Sequence, residues 1–103
     1  MISKILRASA RGQECTLQIA GACNGDTATT VLAHLPDESG GMGRKSDDIS
    51  ACYACSNCHD IIDGRINWPL PDAEREWYMR RAQTRTLRRA IDLGLVSIRG
   101  LKL

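Results

Sequence analysis

The sequence predicts a small α+β domain stapled by a metal ion, and three observations carry that expectation. Short stretches with strand-like patterning, at 15–19 and 29–34, precede one long stretch with helical periodicity at 73–93. The aromatic complement is thin: Tyr53, Trp68, Trp77 and Tyr78, with no Phe in 103 residues. A core that small often needs a staple. Five cysteines, three of them crowded between positions 52 and 58, supply the thiols for one.

Ile2 to Ala10 reads as a short helix or irregular lead-in with Ile2, Ile5 and Leu6 facing inward. Cys15-Thr-Leu-Gln-Ile alternates as a strand does, and Gly21, Asn24, Gly25 and Asp26 supply turn chemistry around Cys23. Thr29 to His34 is β-branched at its start and reads as a second strand, stopped by Pro36. A loop rich in Gly, Ser and charge follows from Asp37 to Asp48, and 49–54 returns as a short strand or turn. Ser56 to Asp63 looks helical and stops at Gly64. Asp72 is a good N-cap for a helix from Ala73 to about Leu93, with Glu74 and Glu76 in its first turn. Ala73, Trp77, Thr84, Leu87 and Ile91 form its apolar recurrence, and Gly94 ends it. Val96 to Leu103 alternates as a terminal strand.

The length fits one domain over 1–103, with a metal-stapled core at about 13–65 and a basic helix plus terminal strand at about 72–103. Charged residues at 25% and apolar residues at 43% exclude a disordered chain. No apolar run is long enough for a transmembrane helix, and Met1 to Ala10 does not read as a signal peptide. A cytoplasmic protein is the expectation. The net charge of +2 hides an asymmetry. Residues 1–64 hold five basic and eight acidic side chains, whereas 65–103 hold nine basic and four acidic ones. Most of that positive charge is arginine, whose planar fork suits phosphate, so a nucleic-acid partner competes with a solvated helix face.

An odd number of cysteines with such clustering argues for a metal rather than disulfides. Cys55-x-x-Cys58 runs into a helix and forms half of a tetrahedral zinc site. Cys15 and Cys23 are the candidates for the other half, although their spacer is longer than a standard knuckle. Cys52 also has ligand spacing to Cys55, and is read as a buried free thiol.

The two histidines differ in setting. His34 ends a strand. His59 follows Cys58 and precedes Asp63 by four residues, placing the two one helical turn apart on one face. That spacing allows an imidazole and a carboxylate to share one divalent cation with positions left for water and phosphate. His59 as a zinc ligand and His34 as a strand-end residue are the plainer alternatives.

A strand-end histidine, a loop, and Cys-x-x-Cys-His opening a helix resemble the zinc-stapled HNH (His-Me finger) endonuclease motif. More closely, Cys23-Asn-Gly, Val31-Leu-Ala-His34, Gly41-Met-Gly-Arg-Lys45 and the run from Ala54 to Arg65 resemble the YbcO-like nuclease family of lambdoid prophages. The resemblance implies a ββα-metal core with His34 as general base, and His59 and Asp63 holding a divalent ion such as Mg2+ beside a structural Zn2+ on Cys15, Cys23, Cys55 and Cys58. Two departures stand out: Ala33 replaces the Asp that often precedes the base, and Ser50 stands where the middle Asn belongs, with Asp47 and Asp48 nearby. DNA is the implied partner, with Arg44, Lys45, Arg65, Arg80, Arg81, Arg85, Arg88 and Arg89 as candidate contacts. The rival is a zinc-stapled DNA-binding module without catalysis.

Overall fold

The computed structural model describes residues 2–36 and 47–102. The element order is α1 (Lys4–Ser9), a 3-10 turn (Thr27–Thr29), β1 (Val31–His34), β2 (Ala51–Ala54), α2 (Ser56–Ile62) and α3 (Asp72–Asp92). The architecture is α+β, as the sequence predicts: a two-stranded antiparallel sheet with helices packed on it. Val31 pairs with Ala54 and His34 with Ala51, so His34 sits at the loop end of the hairpin. Just beyond it, the Leu35 N–H donates to the Ser50 carbonyl at 2.8 Å, and the Ser50 hydroxyl reaches back to the Leu35 carbonyl. Ser50 therefore closes the mouth of the loop.

The core lies where β2, α2 and α3 meet the 15–19 segment. Leu17, Ile19, Ala33, Cys52, Ala54 and Ala82 are almost fully buried there. All four β2 residues are buried, because α3 covers β2 and the hairpin partner covers its other edge.

The segment 15–19 is not a strand. Its Thr16 alone reaches the outer edge of β2, donating N–H to the Tyr53 carbonyl at 2.8 Å and Oγ1–H to the same oxygen at 2.9 Å. The Tyr53 N–H on that edge donates to the Thr86 hydroxyl of α3 at 3.0 Å. A side-chain hydroxyl thus fills a ladder position, and among the described residues no strand continues along that edge. The chain instead curls at Gln18, whose φ of 48° lies in the left-handed region, bringing the Gln18 N–H 3.5 Å from Cys15 Sγ.

The expected terminal strand is absent for the same reason. Beyond α3 the chain makes turns: Gly94, with φ of 76°, lets the Leu95 N–H return to the Ala90 carbonyl at 2.9 Å, and another turn closes at Leu101. With the outer edge of β2 taken by Thr16 and Thr86, the alternating residues do not pair there, and Ile98 and Leu101 are exposed.

Two helices also depart from the expected facing. In α1 only Leu6 is buried, while Ile2 and Ile5 are exposed, because α1 docks through polar groups at its start rather than an apolar face. In α3 the buried stripe is Met79, Ala82, Thr86 and Ala90 rather than the expected Ala73, Trp77, Thr84, Leu87 and Ile91. Small residues let the helix backbone approach β2 closely, which leaves Trp77 and Leu87 turned outward. Pro71 occupies the N-cap, so Asp72 is the first helical residue instead of the cap.

Candidate active site

The four cysteines expected to hold zinc come together. Ligand sulfurs of Cys15, Cys23, Cys55 and Cys58 all lie within 4.8 Å of one another. The Sγ atoms of Cys23 and Cys55 are 3.9 Å apart, against about 3.8 Å between sulfurs set tetrahedrally 2.3 Å from one ion. The donor set and spacing fit a zinc site, and three of the four residues are buried. Cys55 is also the N-cap of α2, its sulfur accepting from the Cys58 N–H at 3.5 Å. The thiols divide charge unequally. A hydrogen bond from Cys58 lowers Cys15 to about 5, and the same bond pushes Cys58 well up. Cys52 stands outside the cluster, fully buried, its thiol raised by desolvation.

His34 pairs with Asp48. Its Nε2 lies 2.7 Å from Oδ1 of Asp48, a carboxylate with no exposed side-chain surface. Asp48 is gripped from α1: Arg7 Nε donates to Oδ2 at 3.0 Å and Nη2 to Oδ1 at 3.0 Å, while the Ser3 N–H donates to Oδ2 at 2.6 Å. The Arg7 hydrogen bonds, aided by Ser3 and His34 and opposed by burial, hold the Asp48 carboxyl well below the usual carboxylate range. An ionised Asp48 accepts only, so the ring nitrogen facing it carries a proton, and Nδ1 is the nitrogen turned away from the carboxylate. The imidazole itself is one-fifth exposed.

His59 and Asp63 do meet, one turn apart on α2. His59 Nε2 is 3.0 Å from Asp63 Oδ2, with both side chains about one-third exposed. Arg65 joins them, donating Nε–H to Asp60 Oδ1 at 2.7 Å and Nη1–H to Asp63 Oδ2 at 3.0 Å. Among the described residues, the four cysteines are the one tight cluster of three or more ligand-type side chains. His34, His59 and Asp63 do not form a second.

The arginines divide by partner. Arg81 donates to the Leu17 carbonyl at 3.0 Å, Arg85 to Gln18 Oε1 at 3.3 Å and Arg89 to Gln13 Oε1 at 3.0 Å. Arg80 and Arg88 are exposed. Arg44 and Lys45 lie outside the described residues.

Set beside known proteins, residues 4–95 match the sequence profile of the family described as "Putative nuclease YbcO". The chain belongs to the YbcO family. Two members carry that description, one from Escherichia coli (strain K12) and one from Enterobacteria phage 82. Each is 48% identical to this chain over 64 residues, 61% of this chain and 67% of the relative. A solved structure titled "Structure of a putative bacteriophage protein from Escherichia coli str. K-12 substr. MG1655" is similar with a TM-score of 0.70 and 34% identity. The match covers 87% of this chain and all of that one. No helix among the described residues is long and apolar enough to cross a membrane.

Sequence reasoning placed Asp48 only near the missing Asn position and passed over Arg7 and Ser3. Asp48 stands in an irregular turn 14 residues from His34, and Arg7 is 41 residues from Asp48, so no local spacing links them. No local signal marks its burial either: Lys45, Ser46 and Asp47 before it and Ser50 after it read as a solvated turn.

Proposed function

We propose that this YbcO-family chain is a metal-dependent endonuclease of HNH type that hydrolyses phosphodiester bonds in DNA. The observation that carries the reading is the Asp48–His34 pair at the loop end of a hairpin whose following helix presents His59 and Asp63. The family descriptions support nuclease chemistry at the coarse level.

His34 is the general base in this reading. Asp48 orients the ring through Nε2, leaving Nδ1 to take the proton of the attacking water, and it balances the positive charge that the ring then carries. A buried carboxylate clamped by Arg7 and Ser3 holds that geometry better than a solvated one would. His59 and Asp63 would hold the divalent ion. Their ligand atoms, 3.0 Å apart, match the roughly 3.0 Å between neighbouring ligands of an octahedral ion at about 2.1 Å. Such an ion, Mg2+ for example, supplies positive charge to the scissile phosphate and its leaving oxygen. Ala33 cannot ligate, and Asp63 is the carboxylate in contact with His59. A zinc ion on Cys15, Cys23, Cys55 and Cys58 would be structural and would fix the start of α2 against the 15–23 segment. The arginines of α3, with Arg44 and Lys45 of the loop, are the candidate phosphate contacts.

Divalent-dependent nicking of supercoiled plasmid tests the reading. His34→Ala should slow nicking roughly 100- to 10,000-fold with zinc content and helical signal unchanged. Equal nicking by wild type and His34→Ala would remove His34 from the chemistry, and no nicking by wild type across Mg2+, Mn2+, Co2+ and Ni2+ would favour the binding module.

A further inference from the structure

Trp77 is 57% exposed on the outer side of α3, in a chain with only four large aromatics. It is held rather than loose. The Arg81 guanidinium lies 4.4 Å from its ring centroid, and Tyr78 packs edge-on with centroids 5.1 Å apart and planes at 89°. Arg81 is itself fixed, tied to the Leu17 carbonyl, with its Nε buried and without a hydrogen-bond partner among the described residues. From Trp77 the same side of the helix continues in steps of four through Arg81, Arg85 and Arg89. Steps of four advance about 6 Å each along the axis and turn about 40° around it, so the row winds over roughly a third of the helix circumference. One aromatic and three guanidiniums thus form a line about 18 Å long.

The far half of this line borders a cleft of about 680 Å³ between α3 and the N-terminal segment. Gln13 and Gln18 set the guanidiniums there through Arg89 and Arg85. Gln18 reaches Arg85 from a left-handed backbone, an unusual state for a side chain other than Gly, Asn or Asp. The near half is a shallow pocket of about 400 Å³ lined by Trp77, Arg81 and Arg85 together with Arg80 and Thr84. His34, His59 and Asp63 line neither.

We propose that this stripe is a track for unpaired DNA, with a base stacking on Trp77 and the following phosphates meeting Arg81, Arg85 and Arg89. Duplex DNA would satisfy the arginines, but its base faces are buried in the stack and leave an exposed indole unused. An indole already flanked by a cation offers an unpaired base a flat apolar surface, and stacking of that kind tolerates any sequence. Pre-set guanidiniums lose less freedom on meeting phosphate. The inference deepens the nuclease reading by naming the substrate class, a DNA with a single-stranded segment, and rests on that reading for DNA as the ligand.

The test is fluorescence anisotropy with fluorescein-labelled (dT)12 and a 12-base-pair duplex, using the full chain with zinc bound and no added magnesium. Wild type should prefer (dT)12. Trp77→Ala should weaken (dT)12 binding roughly five- to hundred-fold and abolish the preference, while Trp77→Phe, which keeps a ring, retains most of it. Arg85→Ala and Arg89→Ala should each reduce the slope of log affinity against log salt by about 0.7 on the single strand. The track is overturned if Trp77→Ala binds (dT)12 as wild type does, or if it weakens duplex and single strand by the same factor. The two readings fail separately. Nicking that needs His34, with (dT)12 affinity indifferent to Trp77, removes the track and keeps the nuclease. Trp77-dependent (dT)12 binding without any nicking keeps the track and removes the nuclease.

Discussion

At the α2 end of the hairpin, four side chains of one kind converge: Cys15, Cys23, Cys55 and Cys58, with two of them on one turn. At the loop end, four groups of four kinds converge: the His34 imidazole, the Asp48 carboxylate, the Arg7 guanidinium and the Ser3 N–H. The first set could share one ion, and such a site is indifferent to the order in which the chain supplies its ligands. The second gains its strength from directed hydrogen bonds around one buried charge, so every member needs its own angle. A thiol cluster can lose no member without losing the ion; a charge cluster loses members in graded steps. Substitutions at the two ends should therefore fail differently.

The largest effect belongs to the thiol end. Structural zinc contributes on the order of 10 kcal/mol to small domains, which exceeds the net stability of most domains of this size. Cys55→Ser should release zinc and unfold the chain, as should strong chelation. Cys52→Ser, at a buried thiol outside the cluster, should keep its zinc and cost only about 1–3 kcal/mol for the buried hydroxyl. Zinc content by atomic absorption with thermal melts by circular dichroism separates these outcomes. Loss of zinc from both variants, or from neither, would put a different thiol in the site.

The same contrast explains what was legible in the sequence. Cys55-x-x-Cys58 and His59 with Asp63 are fixed by helical spacing, and the structure brings each pair together. The hairpin from 31 to 54 and the limits of α2 and α3 follow from local patterning and from Gly64 and Gly94. The features that patterning missed depend on edges and partners. Residues 15–19 and 96–102 alternate as strands do, yet Thr16 and Thr86 already occupy the outer edge of β2. Helical periodicity located α3 but mistook its face, because small residues at 82 and 90 pack closest while Trp77 stays outside. Asp48 was beyond reach for a related reason: only the docking of α1 supplies the cation that makes its burial tolerable.

Asp48 tests the charge end, with an intermediate effect. Asp48→Asn keeps the shape and removes the charge that Arg7 and His34 face. Urea melts near pH 7 should show a loss of about 2–3 kcal/mol, less than for a fully buried pair because Arg7 is 41% exposed. The acid limb carries the signature. The carboxyl is held below its usual range in the folded state, so its contribution is complete above the unfolded value near 3.9. Below that pH the unfolded chain takes up the proton first, and the stability drains away as pH falls toward the folded value. Wild type should lose stability between about pH 4 and pH 2 more steeply than Asp48→Asn. Parallel acid limbs would show that Asp48 is not the ionised anchor. In nicking assays the same variant should lower the rate and leave divalent-ion affinity alone, since Asp48 touches the base and not the proposed ion ligands.

The smallest effect is expected at Arg65, and it bears on whether α2 holds a second ion at all. Arg65 is 54% exposed, so its two ion pairs are screened by water and its removal should leave the melting profile within experimental scatter. Its position is more informative than its energy. Asp63 Oδ2 lies 3.0 Å from both His59 Nε2 and Arg65 Nη1, so a guanidinium already occupies the oxygen that a divalent cation would use. If Asp63 is a ligand, Arg65 competes with the ion, and Arg65→Ala should raise Mn2+ affinity by roughly two- to five-fold in titration calorimetry. A fall in affinity would mean that Arg65 holds the carboxylate in its ligating orientation, the opposite role for the same contact. No change at all would mean that Asp63 does not ligate, and with Ala33 buried the α2 face would then lack the carboxylate that a divalent site there requires.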